Sequence, residues 1–185
     1  MEMQHLPIFF DIKQQLCVVI GGGEIATRKV TLLMRAQARV RVIAPELCHS
    51  LASLQASGKI EHIPRTYQES DLDEAVLVIG ATDDLDINRR VARAARARRI
   101  PVNVVDNPTD GSFIMPSIID RSPVVAAVST GGASPVLARL IRTRLESLIP
   151  AGYGRLGELA DKFRERVKQT FANPADRRRF WDCVL

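Results

Sequence analysis

Cysteine and histidine are scarce in this 185-residue chain, and the scarcity is the first constraint on what it does. Its three cysteines, Cys17, Cys48 and Cys183, have no short paired spacing, which excludes a disulfide framework and reads as reduced thiols of a cytoplasmic protein. The three histidines, His5, His49 and His62, are equally scattered. A structural zinc site needs Cys, His or carboxylate ligands converging from recognisable spacings, so no resident metal is expected. Long apolar runs are also missing, and no stretch is suited to span a membrane. The first residues, MEMQHLPIFFDIKQQ, have no basic lead, no long apolar core and no small-residue cleavage site, so a signal peptide is not expected. The arginine-rich tail, with Arg177, Arg178 and Arg179, offers no recognition helix, and nucleic acid is not expected as a partner.

What is present is length and positive charge. The chain can bury the core of one α/β domain plus a small appendage without staples. A net charge of +5 and a pI near 9.5 favour an acidic partner, which composition alone does not choose.

The most informative stretch is CVVIGGGEIATRK, residues 17–29: an apolar strand, three glycines, then a helical pattern. Gly21, Gly23 and Ala26 fit G-x-G-x-x-G/A. In that pattern one glycine makes the tight turn, the next lets backbone approach a pyrophosphate, and the last small residue lets the helix pack on the strand. The first N–H groups of the helix that follows then face the phosphates of a dinucleotide.

A helix is expected over residues 25–36, then a strand over 38–44 that stops at Pro45 and Glu46. Glu46 lies about where an acid accepts from the adenosine ribose, roughly twenty residues beyond the glycines. Two readings stand for it, a ribose acceptor or a cap for a helix over 47–57. A short strand follows over 59–64, then AVLVIG, residues 75–80, a continuous apolar run of the kind buried on both faces of a parallel sheet. Thr82, just beyond, either lines the ligand crevice or opens a helix over 86–99. Arg89, Arg90, Arg93, Arg96, Arg98 and Arg99 read best as that helix's solvated face.

The next strand, PVNVV, delivers Asp106 and Asn107 to the same carboxyl edge. A carboxylate there acts as general acid or base if apolar walls raise its pKa, and is a plain loop aspartate if solvated. From Ser112 the pattern gives two strands joined at residues 120–123, then Ser129, Thr130, Gly131 and Gly132 leading to a helix with Ser134 as N-cap and Pro135 at N1. This second glycine turn can hold an anion, but Walker spacing and its lysine are missing, so a plain turn is favoured. The strand pair belongs either to the core or to a subunit interface. PAGYG, residues 150–154, reads as a linker, and two polar helices over 155–171 and 176–184 have little core of their own.

The glycine turn, NVVDN, SFIMPSIIDRSP and STGGASPVLARLIR occur in order. With them the chain closely resembles the N-terminal half of siroheme synthase, the precorrin-2 dehydrogenase and sirohydrochlorin ferrochelatase module, over essentially its whole length. The resemblance implies a Rossmann-like parallel sheet, residues 1–111, then a small α+β dimerisation segment, 112–149, and a helical C-terminal segment, 150–185. It implies that NAD⁺ takes a hydride from precorrin-2 to give sirohydrochlorin, and that Fe²⁺, a substrate, is then inserted to give siroheme. Family cofactor contacts fall on Gly23, Glu24, Ile25, Pro45 and Glu46. The family's essential aspartate falls on Asp106, the acid/base of both steps, where Fe²⁺ binds only transiently. The tetrapyrrole's carboxylates suit a basic crevice, with Arg121 and Arg139 as candidate clamps and Asn107, Ser129, Thr130 and Gly131 as further substrate contacts. A homodimer is implied. Methylation of uroporphyrinogen III, carried by longer members, is not expected of these residues, and relatives are expected to continue past DRRRFWDCVL. The rivals are a non-catalytic NAD-sensing module and a dehydrogenase of another anionic substrate.

Overall fold

The computed structural model describes every residue except Met1, Glu2, Asp106 and Pro108. It divides into two compact units, Met1–Met115 and Pro116–Leu185.

In the first unit, strands β1 (Leu16–Ile20), β2 (Arg39–Ile43), β3 (Glu61–Ile63), β4 (Leu77–Gly80) and β5 (Val102–Val104) form one sheet, in the order β3-β2-β1-β4-β5, with every pairing parallel. Parallel strands need crossovers, which are α1 (Glu24–Arg35) after β1, α2 (His49–Ala56) after β2 and α3 (Leu85–Ala97) after β4. β1 explains why apolar runs become strands here. Cys17 and Val19 join the cluster with Ala26, Val30 and Leu33 of α1 and Leu51 of α2. Leu16, Val18 and Ile20 join the opposite cluster with Val91, Ala94 and Ala95 of α3 and with Tyr67 and Leu72. Both faces of the strand are therefore buried, at ~1.5–3 kcal/mol for each large aliphatic side chain. Burial also pushes the Cys17 thiol up to about 11, so it stays protonated near neutrality.

The six arginines of residues 89–99 are all exposed, while Val91, Ala92, Ala94 and Ala95 of the same helix are buried, as the solvated-face reading requires. Tyr67 closes the core beside them, with the Arg90 guanidinium 5.9 Å from its ring centre.

In the second unit, β6 (Ser117–Arg121) and β7 (Val124–Val128) form an antiparallel hairpin, followed by α4 (Pro135–Leu148), α5 (Gly152–Thr170) and α6 (Pro174–Val184). Ser134 caps α4 as its sequence suggests, accepting from the Leu137 N–H at 3.2 Å, with Pro135 opening the helix. The linker expected over 150–154 is not there. α5 already begins at Gly152. The glycines serve close approach instead: a Cβ on Gly154 would lie 2.5 Å from the Arg121 carbonyl oxygen, and one on Gly157 3.0 Å from the Pro123 ring. α6 buries no residue, in keeping with a polar helix that has little core of its own.

Candidate functional site

In a sheet of this order the connections leave β1 and β4 in opposite directions, and the loops at their carboxyl ends bound a crevice. Gly21 and Ala81 lie on its two sides. Gly21 donates to the Ile43 carbonyl at 3.0 Å, and Ala81 to the Ile20 carbonyl at 2.8 Å. Gly21 has φ of 125°, and a Cβ on it would sit 2.2 Å from the Ala81 carbonyl oxygen, so glycine is required on both counts. Gly22 is pinned by the other loop: its carbonyl accepts from the Cys48 N–H at 2.8 Å, and a Cβ on it would lie 1.9 Å from the Glu46 carbonyl oxygen.

Gly23 differs from both. A Cβ there would meet nothing within 4 Å, so nothing in the surrounding protein demands glycine. The space belongs to whatever approaches from outside. Gly23 is also the N-cap of α1 and gives it no side-chain cap, leaving the first N–H groups of a twelve-residue helix for a ligand. α3, in contrast, is capped by Asp84, which accepts from Asp86 and Ile87 at 2.9 and 3.0 Å. Ala26 is fully buried and brings α1 onto the sheet. These features fit a pyrophosphate lying over Gly23.

Around this turn the structure gathers Glu24 and Ile25, both exposed on the first turn of α1, and Pro45 and Glu46, exposed at the end of β2. Glu46 does not cap α2, whose N-cap is Cys48. Among the described residues its carboxylate has no hydrogen bond or ion pair, leaving it available to a ribose hydroxyl. Thr82 follows β4 at the same edge, and its hydroxyl takes part in starting α3. It accepts from the Asp84 N–H at 3.1 Å and lies 3.0 Å from the Asp84 carbonyl and 3.2 Å from Asn88 Oδ1. Buried Asn88 returns its amide to the Thr82 carbonyl at 2.8 Å.

Asp106 lies outside the described residues. The strand leading to it is β5, with Val104 opposite Gly80 of β4 and Val105 donating to the Gly80 carbonyl at 2.9 Å. Asn107 is half-buried and donates to Asp110 Oδ2 at 2.6 Å.

The other expected substrate residues belong to the second unit. Ser129 Oγ accepts from the Gly131 N–H at 3.1 Å, and Thr130 Oγ1 accepts from the Ser134 N–H at 3.1 Å, so both hydroxyls shape the turn ahead of α4. Gly131, at φ of 64°, occupies the left-handed region that turn needs. Arg139 is exposed one turn into α4, and its guanidinium has no partner among the described residues. Arg121 is not brought near Ser129. It pairs with Val124 at the closed end of the hairpin, while Ser117 pairs with Val128 at the open end, roughly 15 Å away at the rise of a strand. Its guanidinium donates to the Ile149 and Asp120 carbonyls, each at 3.1 Å. Among the described residues, no group of three or more His, Cys, Asp or Glu side chains is placed to hold a metal ion, and no helix is long and apolar enough to cross a membrane.

Sequence reasoning missed Gly22, although three glycines in a row where the fingerprint asks for two was a signal. It also missed Asn88, which nothing in the local pattern marks.

A turn that is crowded at its first two glycines and open at the third, set at the point where the strand order reverses, defines a dinucleotide-binding α/β protein. A family model described as "Putative NAD(P)-binding" matches residues 8–117. Models described as the sirohaem biosynthesis protein central region and the sirohaem synthase dimerisation region match residues 127–148 and 152–185. The chain belongs to the family of siroheme synthase N-terminal, NAD(P)-binding modules. Siroheme synthases of Nitrosospira multiformis and Methylobacillus flagellatus are 57% and 56% identical over 99% of the chain. The chain spans about two fifths of the length of these relatives, 40% and 39%. The solved structure of SirC, precorrin-2 dehydrogenase, shares the fold at a TM-score of 0.79 with 24% identity, covering 98% of this chain and 89% of that one. The matched dimerisation region thus falls on 152–185, whereas the sequence reading placed the dimerisation segment at 112–149.

Proposed function

We propose that this chain is an NAD⁺-dependent dehydrogenase that oxidises precorrin-2 to sirohydrochlorin, and that the same site then inserts Fe²⁺ to give siroheme. The observation carrying the reading is the open Gly23 position over the uncapped start of α1, at the switch point of a chain of this family. NAD⁺, when bound, supplies the hydride acceptor. The Gly21–Gly23 backbone and the first N–H groups of α1 hold its pyrophosphate, and Glu46 accepts from the ribose. Oxidation removes one hydride and one proton from the macrocycle, and Asp106 receives that proton as general base. Asp106 then gives that proton to solvent; in the second step the two N–H protons displaced as Fe²⁺ enters leave one at a time through its carboxylate to water, and it holds the ion only in passing.

Asn107, Ser129, Thr130 and Gly131 contact the tetrapyrrole, and Arg139, whose guanidinium is free to form a bidentate pair, clamps a substrate carboxylate. Arg121 is the weaker clamp, being engaged by two carbonyls. The protein works in the cytoplasm and as a homodimer, and the homodimer is supported by the description of the model that matches residues 152–185.

The test is NADH formation from precorrin-2 by wild type and Asp106→Asn. The variant is expected to bind NAD⁺ like wild type and to lose turnover by at least about a hundredfold. Normal turnover removes Asp106 from the chemistry, and NAD⁺ binding by wild type with no oxidation favours a sensing module.

A further inference from the structure

On either side of residues 106–108 the chain is tied to the sheet. Val105 donates to the Gly80 carbonyl at 2.9 Å, yet by Ser112 the chain is back beside the first residue of β5. The Ser112 N–H donates to the Val102 carbonyl at 2.7 Å, and Ser112 Oγ accepts from the Val102 N–H at 2.9 Å. Asn103, only 7% exposed in the middle of β5, adds a third tie, its amide donating to the Phe113 carbonyl at 3.0 Å.

The far side of this loop is held from α3. Arg96, in the last turn, uses a single nitrogen, Nη2, to donate to the Thr109 carbonyl at 3.1 Å and the Gly111 carbonyl at 2.8 Å. Those carbonyls flank Asp110, whose carboxylate takes the Asn107 amide, while Thr109 Oγ1 donates to Asn107 Oδ1 at 2.7 Å. A continuous set of hydrogen bonds therefore runs from Arg96 to Asn107. The neighbouring arginines along the same groove are not used this way. Arg89 pairs with Asp86 of its own helix at 3.2 Å, Arg90 lies over Tyr67, and the Arg93 guanidinium has no partner among the described residues.

We propose that Arg96 is a positioning residue: by holding Thr109 and Gly111 of the loop after β5 it fixes the place of Asn107 relative to the substrate. This rests on the functional reading above, which gives that loop the acid/base. The planar guanidinium suits the task because two N–H bonds from one nitrogen reach carbonyls two residues apart with little freedom.

The test uses the full chain with Arg96→Ala, Arg96→Lys and, from the same groove, Arg93→Ala. Hydrogen exchange over residues 105–113 is followed by mass spectrometry beside steady-state oxidation of precorrin-2. Arg96→Ala is expected to exchange about tenfold faster over that segment, as loss of two hydrogen bonds implies. Its kcat should fall by roughly ten- to a hundredfold while KM for NAD⁺ stays within about twofold. Arg96→Lys, which keeps the charge and one donor group, should fall between, and it provides the reading if Arg96→Ala does not fold. Arg93→Ala should match wild type. Unchanged exchange in the Arg96 variants, or an equal loss in Arg93→Ala, overturns the proposal. Faster exchange with unchanged kcat overturns its catalytic part. Absence of oxidation by wild type, with exchange still raised in Arg96→Ala, overturns the functional reading and sustains the anchoring.

Discussion

Three adjacent glycines carry three different physical demands, and substitution separates them. Gly21→Ala and Gly22→Ala place a Cβ 2.2 and 1.9 Å from backbone oxygens of neighbouring loops, so each is expected to cost at least about 2 kcal/mol of stability, read from denaturant unfolding. Gly23→Asp meets no protein atom, and the fold should keep its unfolding midpoint. It puts a carboxylate where a pyrophosphate would lie, and NAD⁺ affinity should drop by at least about a hundredfold in a binding titration. Unchanged affinity would remove Gly23 from the site, while chelation of supplied sirohydrochlorin, a step that needs no dinucleotide, should survive. The sequence made Gly21, Gly23 and Ala26 legible because their spacing is local. Gly22 was hidden because its constraint comes from Glu46, more than twenty residues away, and only the folded chain brings them together.

At the scale of elements, the short 3₁₀ turn Glu69–Leu72 had no sequence prediction, yet it holds a buried charge of the first unit. Asp71 is 5% exposed and accepts from Arg65 at 2.6 and 2.8 Å and from the Gln68 N–H at 2.8 Å. Burial alone would raise its pKa. The Arg65 guanidinium and the Gln68 N–H outweigh burial and hold the carboxyl below its usual range. A depressed folded pKa means the stabilisation is present above the unfolded value of about 4 and is lost as pH falls through the folded one. Asp71→Asn is expected to lower stability by about 2–4 kcal/mol at neutral pH and to flatten its decline in acid. Equal acid sensitivity of wild type and variant would contradict this. The strands and helices were legible within a few residues because burial imposes period. The start of α5 was not, since PAGYG carries the composition of a loop, and its glycines answer to the hairpin they touch.

For the whole molecule, the parallel sheet and its switch point follow from alternating apolar runs and helices, a pattern strong enough to read without coordinates. The division of labour between segments was harder to see, because α5 and α6 are polar helices and α6 buries no residue. Leu159, Phe163, Phe180, Trp181 and Val184 line an apolar groove of about 210 Å³ within the region matched to dimerisation, and a second copy of this chain is its proposed occupant. Sedimentation should give a dimer, and Phe180→Glu should shift it toward monomer at the same concentration. A wild-type monomer would contradict the assignment. Most direct of all is a stoichiometric turnover: purified chain, precorrin-2 and NAD⁺ without Fe²⁺, following NADH and macrocycle absorbance together. The account predicts one NADH for each sirohydrochlorin formed; precorrin-2 left unchanged by a chain that has bound NAD⁺ would contradict it.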